Sequence, residues 1–498
     1  MLILFLSLLP IILAVSLSLI TKRATLSLLC GIFVGALILQ SYHPWLAIIS
    51  VIEDYLIPSL ASEDNCKVIF FSLFVAATVE LIRVGGGTTA LVSVFSRFAN
   101  TRPKALVGTW FAGLTVFFDD YANCLIVGSS MQPIADAKKI SREKLAYLVD
   151  STAAPVATLA LVSTWIGYEV SLMEKALVAV GRDTDAYAFF LQGLPYRFYP
   201  ILALVFGFTI AISGRDFGPM LKAEQESLRN KKEDISSASE EMSHLAMALI
   251  PLTLLIGVTF GDLYTQGIQE VEANAGLFEI IGAADSYNAM LHGSIASLLS
   301  ATCLCVWYGQ KLENIQRGMR EGTSRLMEAL LILTCAWALG DCIGDLNTAD
   351  HLLNLMGDSL SPSFLPSIVF VLAAGISFAT GTSFGTMGAL MPLALPLVLK
   401  MNTGIEIELA VASAVLSGAT WGDHCSPISD TTILSSAGCG CDHISHVKTQ
   451  LPYALISGII ALLCCSLPVG IGIHWSICLF IGSTICVGSI WFFGSKVQ

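Results

Sequence analysis

The sequence predicts an all-α polytopic membrane protein with inverted-topology repeats, each containing a re-entrant hairpin and a broken transmembrane helix. Two observations lead to that fold class. First, the 498 residues are 55% hydrophobic and only 13% charged, with a mean hydropathy of +0.74, and apolar windows of about 17–25 residues recur along the chain. Second, two apolar segments with polar midpoints are each followed by an interrupted helix.

Basic residues set the predicted orientation, because Lys and Arg concentrate in the cytoplasmic loops of membrane proteins. They cluster at positions 22–23, 97–104, 138–144, 215–232, 311–325 and 496, whereas acidic, base-poor loops lie near 53–64 and 270–279. We therefore expect a multi-pass protein of the cell inner (cytoplasmic) membrane with its N-terminus outside and its C-terminus in the cytoplasm. Its expected partners are membrane lipids, and nothing in the sequence favours nucleic acid.

Five parts are predicted along the chain. They are N-terminal transmembrane helices with an acidic external loop (1–66), a first repeat (67–213), a cytoplasmic linker with a connecting transmembrane pair (214–321), a second repeat (322–473) and a C-terminal transmembrane helix (474–498).

The first repeat contains an apolar segment that cannot be one ordinary span, because Lys104 and Lys138 at its two ends both read as cytoplasmic. Two half-length helices folded back on each other satisfy that constraint and place Asp119 and Asp120 at the tip. Adjacent residues on a helix point about 100° apart. We therefore expect only one of the two carboxylates to face the interior.

The second repeat shows the same order of elements. Residues 365–400 form an apolar segment of hairpin length whose midpoint is 380–386. An interrupted helix follows each hairpin, with predicted breaks at 150–155 and 426–427, where a proline removes a backbone donor. A hairpin and then a broken helix, twice and with opposite entry sides, is the plan of secondary transporters.

Three motifs carry a family resemblance: Phe-Phe-Asp-Asp-Tyr-Ala-Asn at 117–123, Asp-Ser-Thr-Ala-Ala-Pro at 150–155 and Gly-Asp-His-Cys-Ser-Pro-Ile-Ser-Asp-Thr-Thr at 422–432. They resemble the NhaC-type Na+/H+ antiporter family of the ion transporter superfamily. The resemblance implies paired hairpins, homodimers with an elevator-type motion, and exchange of cytoplasmic sodium or lithium for external protons. Related members exchange malate for lactate with sodium and protons, so a coupled organic-anion exchanger stays open as the alternative.

Such an antiporter needs a buried carboxylate for which sodium and protons compete, surrounded by oxygen ligands. The candidate ion- and proton-binding residues are Asp119, Asp120, Asn123, Asp150, Ser151, Thr152, Thr382, Ser383, Asp423, His424, Ser426, Asp430 and Thr431. We predict sodium at Asp150 and Asp423, with a second charge from the first hairpin tip. His424 is a candidate for relaying protons.

Structural roles compete with these readings. Each aspartate can instead cap a half-helix, and Asp430 is the expected cap because two threonines and a new apolar run follow it. His424 can be a hydrogen-bonded core histidine. Glu80 is expected to pair with Arg83 on its helix surface.

Other classes of protein have weaker support. Residues 381–385 match the Gly-x-Ser-x-Gly of hydrolases but lie in an apolar hairpin instead of a strand-turn-helix, so no enzyme is expected. Cys439, Cys441, His443 and His446 have the composition of a metal cluster, but their spacing is tighter than in structural zinc sites. No cofactor is expected beyond the transported Na+ and H+. The tips and breaks contain no Lys or Arg, which favours small cations, and the occluding hairpins favour a gated site over a channel.

Overall fold

The computed structural model describes residues 2–21, 23–96, 99–229, 244–271, 276–356 and 361–497, most of which are helical. Within these residues, eight helices are long and apolar enough to cross a membrane, or up to ten if each of two bent helix pairs counts as one span. Two short strands, Arg215–Asp216 and Ser495–Lys496, pair antiparallel. The chain is therefore a polytopic α-helical membrane protein, as predicted.

The helices of the first half are Leu2–Thr21, Ala24–Leu39, Pro44–Ser50 with a π-helical turn Val51–Leu56 and Ile57–Ala61, Glu63–Val84, Gly87–Ser96, Arg102–Thr115, Asp120–Ala122 with a π-helical turn Asn123–Val127 and Gly128–Ala137, Arg142–Asp150, Ala154–Ala157, Ile166–Ala179, Ala186–Gly193 with a 3-10 turn Leu194–Tyr196, Phe198–Ser213 and Gly218–Arg229. The helices of the second half are Ala246–Glu270, Leu277–Gly282, Ser286–Trp307, Leu312–Asp345, Thr348–Met356, a 3-10 turn Pro362–Phe364, Leu365–Thr380, Ser383–Lys400, Ile405–Cys425, Asp430–Cys439, His443–Ile460 with a π-helical turn Ala461–Ser466 and Leu467–Gly470, and Trp475–Phe493.

The two halves repeat in register. Adding 263 to each residue number carries the second limb of the first hairpin, 120–137, onto Ser383–Lys400, and carries the start of the next helix, Arg142, onto Ile405. The prolines Pro133 and Pro396 then coincide. Both hairpins are confirmed, with the first tip at residues 116–119 and the second at 381–382.

Each hairpin packs against the helix that follows the break in the other repeat. Ile166–Ala179 lies against Ser383–Lys400, and Asp430–Cys439 lies against the turn Asn123–Val127. The second contact depends on Gly438, since a Cβ there would come within 2.4 Å of the Cys124 carbonyl oxygen. This reciprocal packing is what inverted repeats produce, and it brings the two tips together in the protein interior.

The predicted break of the first repeat is present, but a second interruption was missed. Residues 151–153 interrupt a helix as expected, but a longer non-helical stretch, 158–165, follows, and its end, 163–165, is in register with the break that begins at Ser426. The predicted single crossing over 145–168 is therefore three shorter pieces. Pro155 alone pointed to the first interruption, and no proline marks the second.

The region near 53–64, which was predicted to be an external loop, is largely helical in the structure. Pro44–Ala61 forms one helix that is long and apolar enough to span, and Glu53 and Asp54 lie exposed on it. Two of the predicted domain boundaries, 66/67 and 321/322, fall inside the helices Glu63–Val84 and Leu312–Asp345. Parts of the predicted linker (230–243) and of the second acidic loop (272–275) lie outside the described residues.

Two buried ion pairs hold these helices in place. Lys144 pairs with Asp216, which also accepts a hydrogen bond from Tyr453 at 2.6 Å. Arg197 pairs with Glu169 at 2.6 Å, and all four charged side chains are at most 1% exposed. An uncompensated buried charge is costly, so each of these side chains must stay beside its partner. The two pairs therefore hold the segments that carry them together.

Candidate ion-binding site

The two hairpin tips are built alike. Asp119 is extended and its carboxylate accepts a hydrogen bond from the Ala122 N–H at 2.6 Å. Thr382, which occupies the same register, accepts one from the Gly385 N–H at 3.2 Å through its hydroxyl. Each residue is thus the N-cap of its second limb, and the positive ends of both helices point into the same interior region.

The tips meet at a cavity of about 260 Å³. Asp119, Asp120 and Asp430 all line it. The expectation that only one of Asp119 and Asp120 faces the interior is wrong, because Asp119 precedes the helix and the 100° helical rotation does not apply to it. The expectation that Asp430 is a cap is also wrong: it is the first residue of its helix, and Ser429 occupies the cap position without a side-chain capping bond.

A second, smaller cavity shares part of this lining and adds Asp423 and Thr431. Asp120 and Asp423 are each 5% exposed, so two buried carboxylates share it. Asp423 also interacts with the hydroxyls of Ser429, Ser383 and Thr431. Carboxylates and hydroxyls around one space form an oxygen-rich environment that suits a hard cation.

One wall of the larger cavity comes from the helix Leu312–Asp345 and was missed in the sequence. Arg325 and Glu328 line this wall and are exposed, so the cavity reaches the surface there. Arg325 Nη1 lies 2.8 Å from Glu80 Oε2. The predicted Glu80–Arg83 pair is present, but Glu80 is only 1% exposed and belongs to this wall instead of an open helix surface.

Asp150 lies in a separate buried cluster. Its Oδ2 accepts hydrogen bonds from the Gln450 amide at 2.6 Å and the Thr432 hydroxyl at 3.2 Å, and His446 Nε2 is 3.9 Å away. Its Oδ1 has no hydrogen-bond partner in the described part of the chain. Asp150 does not line either cavity that contains Asp120, so sodium shared by Asp150 and Asp423 stays a prediction.

His424 lies next to this cluster and is 1% exposed. Its Nδ1 is 2.5 Å from the Tyr199 hydroxyl, and its backbone carbonyl accepts a hydrogen bond from Gln450. Its Nε2 lacks a partner among the described residues. Gln450 could not be predicted as a partner of Asp150, because a glutamine inside an apolar helix has no distinctive spacing.

Four other predicted residues form hydrogen bonds between their side chains and backbone groups, at the first hairpin and at the two helix breaks. The Asn123 amide donates to the carbonyl oxygens of Gly113 at 2.7 Å and Thr152 at 2.8 Å, which ties the hairpin to the break. The hydroxyls of Ser151 and Thr152 donate to carbonyls of the preceding helical turn. Ser426 accepts a hydrogen bond from the Ile428 N–H at 3.3 Å.

The Cys and His residues near 439–446 do not form a metal cluster. No three His, Cys, Asp or Glu side chains come close enough to hold a metal ion in the ranges described above. His443 and His446 instead share the Ser436 hydroxyl, at 3.2 and 2.8 Å.

Comparison with known proteins agrees with this fold. A model of the Na+/H+ antiporter family matches residues 156–467. The chain belongs to the Na+/H+ antiporter family. It is 32% identical over 466 residues to an uncharacterised protein of Haemophilus influenzae, covering 90% of this chain and 88% of that protein. It is 33% identical over 153 residues to the malate-2H+/Na+-lactate antiporter of Bacillus subtilis, covering 30% and 32%.

A solved structure shows the same fold. The YdaH transporter of Alcanivorax borkumensis, which has an unusual topology, matches with a TM-score of 0.58 at 13% identity, covering 84% of this antiporter and 91% of that chain. The predicted family is confirmed, and the matched residues 156–467 include the third motif, 422–432. This antiporter is a multi-pass secondary transporter.

Proposed function

We propose that this antiporter exchanges cytoplasmic sodium or lithium for external protons at the hairpin tips. The observation that carries the proposal is the small cavity where Asp120 and Asp423 meet the hydroxyls of Ser383 and Thr431. Sodium prefers such oxygen ligands, and the two helix N-termini offset part of the negative charge. Each carboxylate can also take a proton, so the two cations compete for one place.

Competition follows from the burial of the site. Two ionised carboxylates close together in a protected space repel each other, and each loses hydration. A bound cation relieves both costs. When sodium leaves, a proton that neutralises Asp120 or Asp423 does the same, so the site favours either cation over the empty, doubly charged form.

The proposal also covers the protein's orientation in the membrane, the membrane in which it lies and its oligomeric state. From the distribution of basic residues we infer that the N-terminus lies outside and the C-terminus in the cytoplasm, with the inner membrane as the location. Exchange then moves protons inward, and the membrane potential contributes about 2.3 kcal/mol per net charge per 100 mV. A homodimer with an elevator-type motion is what the family resemblance implies.

The test is sodium-dependent dequenching of a pH-sensitive dye in everted vesicles. Wild-type protein should respond to sodium or lithium, while Asp120→Asn and Asp423→Asn should abolish the response at normal expression. Asp150→Asn tests the sequence-based prediction of sodium at Asp150 in the same assay. Asp442→Asn is the matched control, because Asp442 is an exposed N-cap and asparagine caps equally well. Full activity of Asp120→Asn and Asp423→Asn would refute the proposed site.

A sodium- and proton-coupled organic-anion exchanger is the second candidate. Arg325 in the cavity wall favours it, because a guanidinium binds carboxylates well. The similarity of this chain, over 153 residues, to a malate-2H+/Na+-lactate antiporter agrees with this candidate. A dequenching response that appears only when malate or lactate is supplied would select it over exchange of inorganic cations alone.

A further inference from the structure

A line of hydrogen-bonding side chains joins the protein surface to the buried carboxylate of Asp150. His443 is partly exposed, whereas Ser436, His446 and Asp150 are at most 2% exposed. Ser436 Oγ lies 3.2 Å from His443 Nδ1 and 2.8 Å from His446 Nδ1. His446 Nε2 is 3.9 Å from Asp150 Oδ2. Chains of histidine and carboxylate side chains inside a membrane protein are typical of proton relays.

Hydrogen-bond partners determine which nitrogen of His446 carries its proton. The Gln450 amide nitrogen donates to Asp150 Oδ2 and to the His424 carbonyl oxygen. The amide oxygen of Gln450 is therefore the atom that lies 2.7 Å from His446 Nε2, and an amide oxygen only accepts. It follows that Nε2 carries the proton of the neutral ring and that Nδ1 can accept another.

His443 is held in the same way at the outer end of the line. Its Nε2 lies 2.6 Å from the Pro427 carbonyl oxygen, which only accepts, so its Nδ1 can also take up a proton. Both rings thus present Nδ1 to the Ser436 hydroxyl. That hydroxyl has one proton and a third acceptor, the Thr432 carbonyl oxygen at 2.7 Å. Rotation about one C–O bond turns the hydroxyl proton from one ring to the other.

The outer end of the line lies on the side of the C-terminus. His443–Gly470 and Trp475–Phe493 are successive helices that are long and apolar enough to cross a membrane, and Lys496 follows the second one. Two crossings return the chain to the side from which it started. His443 therefore faces the cytoplasm in the orientation inferred from the basic residues.

The side chains of His443, Ser436 and His446 can pass a proton from one to the next. We propose that they form a proton path between the cytoplasm and Asp150, separate from the two cation cavities. Towards Asp150, a protonated His443 gives its Nδ1 proton to Ser436 Oγ while the Ser436 hydroxyl gives its own proton to His446 Nδ1. His446 then gives its Nε2 proton to Asp150 Oδ2, after a shift of about 1 Å that brings the two atoms to hydrogen-bond distance. Release follows the same steps in reverse and ends when His443 loses a proton to water.

The inference rests on the proposed function, because the path carries a proton that is exchanged for sodium. Asp150 and Asp423 interact electrostatically, and a sodium ion at Asp423 removes the repulsion that favours a proton on Asp150. The other titratable groups that face Asp150 are His446, Tyr199, Cys124, Cys425 and Cys439. The thiols and the phenol are neutral near pH 7, so Asp423 is the charged neighbour that sodium can change. Entry of cytoplasmic sodium therefore sends the proton of Asp150 along the path into the cytoplasm.

The rate at which Asp150 takes up a proton tests the path without any transport. The full chain is placed in nanodiscs without sodium, the pH is lowered rapidly from about 8 to about 5, and infrared spectroscopy follows the carboxylic-acid band that Asp150→Asn lacks. We expect Ser436→Ala to slow the appearance of this band by about 100-fold, the lower end of what a positioned proton-transfer group contributes. Loosened packing would have the opposite effect, because local opening admits water and speeds protonation.

His443→Gln tests the outer end of the path. Glutamine keeps a donor for the Pro427 carbonyl oxygen but does not take up a proton, so this variant should also slow the band. Thr449→Val is the matched control, because the buried hydroxyl of Thr449 lies on the same helix as His446 and donates to the backbone carbonyls of Ser445 and His446 at 2.9 Å. Thr449→Val should keep the wild-type rate.

The inference would be overturned by a wild-type chain that shows no Asp150 band after acidification. It would equally be overturned if Ser436→Ala and His443→Gln gained the band at the wild-type rate or faster. Sodium-dependent dequenching in everted vesicles reports on the proposed function by itself. Sodium exchange by the wild type with an unchanged band rate in both variants defeats only this inference, whereas slowed protonation of Asp150 in the variants without any sodium exchange by the wild type defeats only the proposed function.

Discussion

Asp119 has two roles in the structure that substitution can separate. It caps a helix through its bond to the Ala122 N–H, and its carboxylate lines the cavity. Asparagine caps about as well as aspartate but carries no charge, whereas alanine removes both cap and charge. Thr382→Ala is the matched control, because it removes the equivalent cap at the second tip and no charge.

The expected sizes follow from these contacts. Losing an N-cap costs about 0.5–2 kcal/mol, so Asp119→Ala and Thr382→Ala should both destabilise the protein by that amount. Asp119→Asn keeps the cap. It loses an attraction to the helix N-terminus of about 0.3–1 kcal/mol, but it also avoids the cost of burying an ion, so its stability should stay near that of the wild type.

Thermal melting in nanodiscs and sodium-dependent dequenching in everted vesicles read the two roles separately. We expect Asp119→Asn to melt like the wild type with impaired exchange, and Thr382→Ala to melt earlier, as Asp119→Ala does. Asp119→Asn melting as early as Asp119→Ala would refute the capping role. Wild-type exchange by Asp119→Asn would refute the need for its charge.

Three further substitutions test the packing around the site by thermal melting. Arg197→Gln should destabilise the protein by about 3–5 kcal/mol, and adding Glu169→Gln should recover part of that loss; an equal loss in the double variant would contradict the buried ion pair. Gly422→Ala places a Cβ 2.5 Å from a carbonyl oxygen on the facing helix and should cost about 1–3 kcal/mol, whereas Gly375→Ala has open space and should be neutral. Gln450→Leu removes the 2.6 Å bond to the carboxylate of the separate buried cluster and should cost about 1–3 kcal/mol; unchanged melting would show that this bond does not stabilise the fold.

The sequence predicts the hairpins and the central aspartates because both depend on local pattern. A polar pair inside an apolar segment, such as Asp119 and Asp120, is too costly for lipid and must lie at a protected tip. The break at 158–165 has no such signal, since Leu-Ala-Leu-Val within it reads as helix. Its position becomes clear only from the constant offset between the repeats.

Long-range pairing explains what the sequence could not provide. Arg325 lies 245 residues from Glu80, and neither residue carries a motif. The absence of Lys and Arg at the tips and breaks favours small cations when the sequence is read locally. Packing of the helix Leu312–Asp345 against Glu63–Val84 adds a guanidinium to the same cavity, and that changes which ligands the cavity can hold.

The repeats duplicate the geometry of the site but not its charge. With the offset of 263, each aspartate that lines the two cavities has a neutral counterpart: Thr382 for Asp119, Ser383 for Asp120, Ala160 for Asp423 and Gly167 for Asp430. A symmetric site would hold twice as many carboxylates, and each buried one would cost several kcal/mol in lost hydration. Two helix N-termini could not offset that charge. The duplicated hairpins therefore provide two caps and two positive helix ends around one set of carboxylates, and the proposed cation would complete the neutralisation.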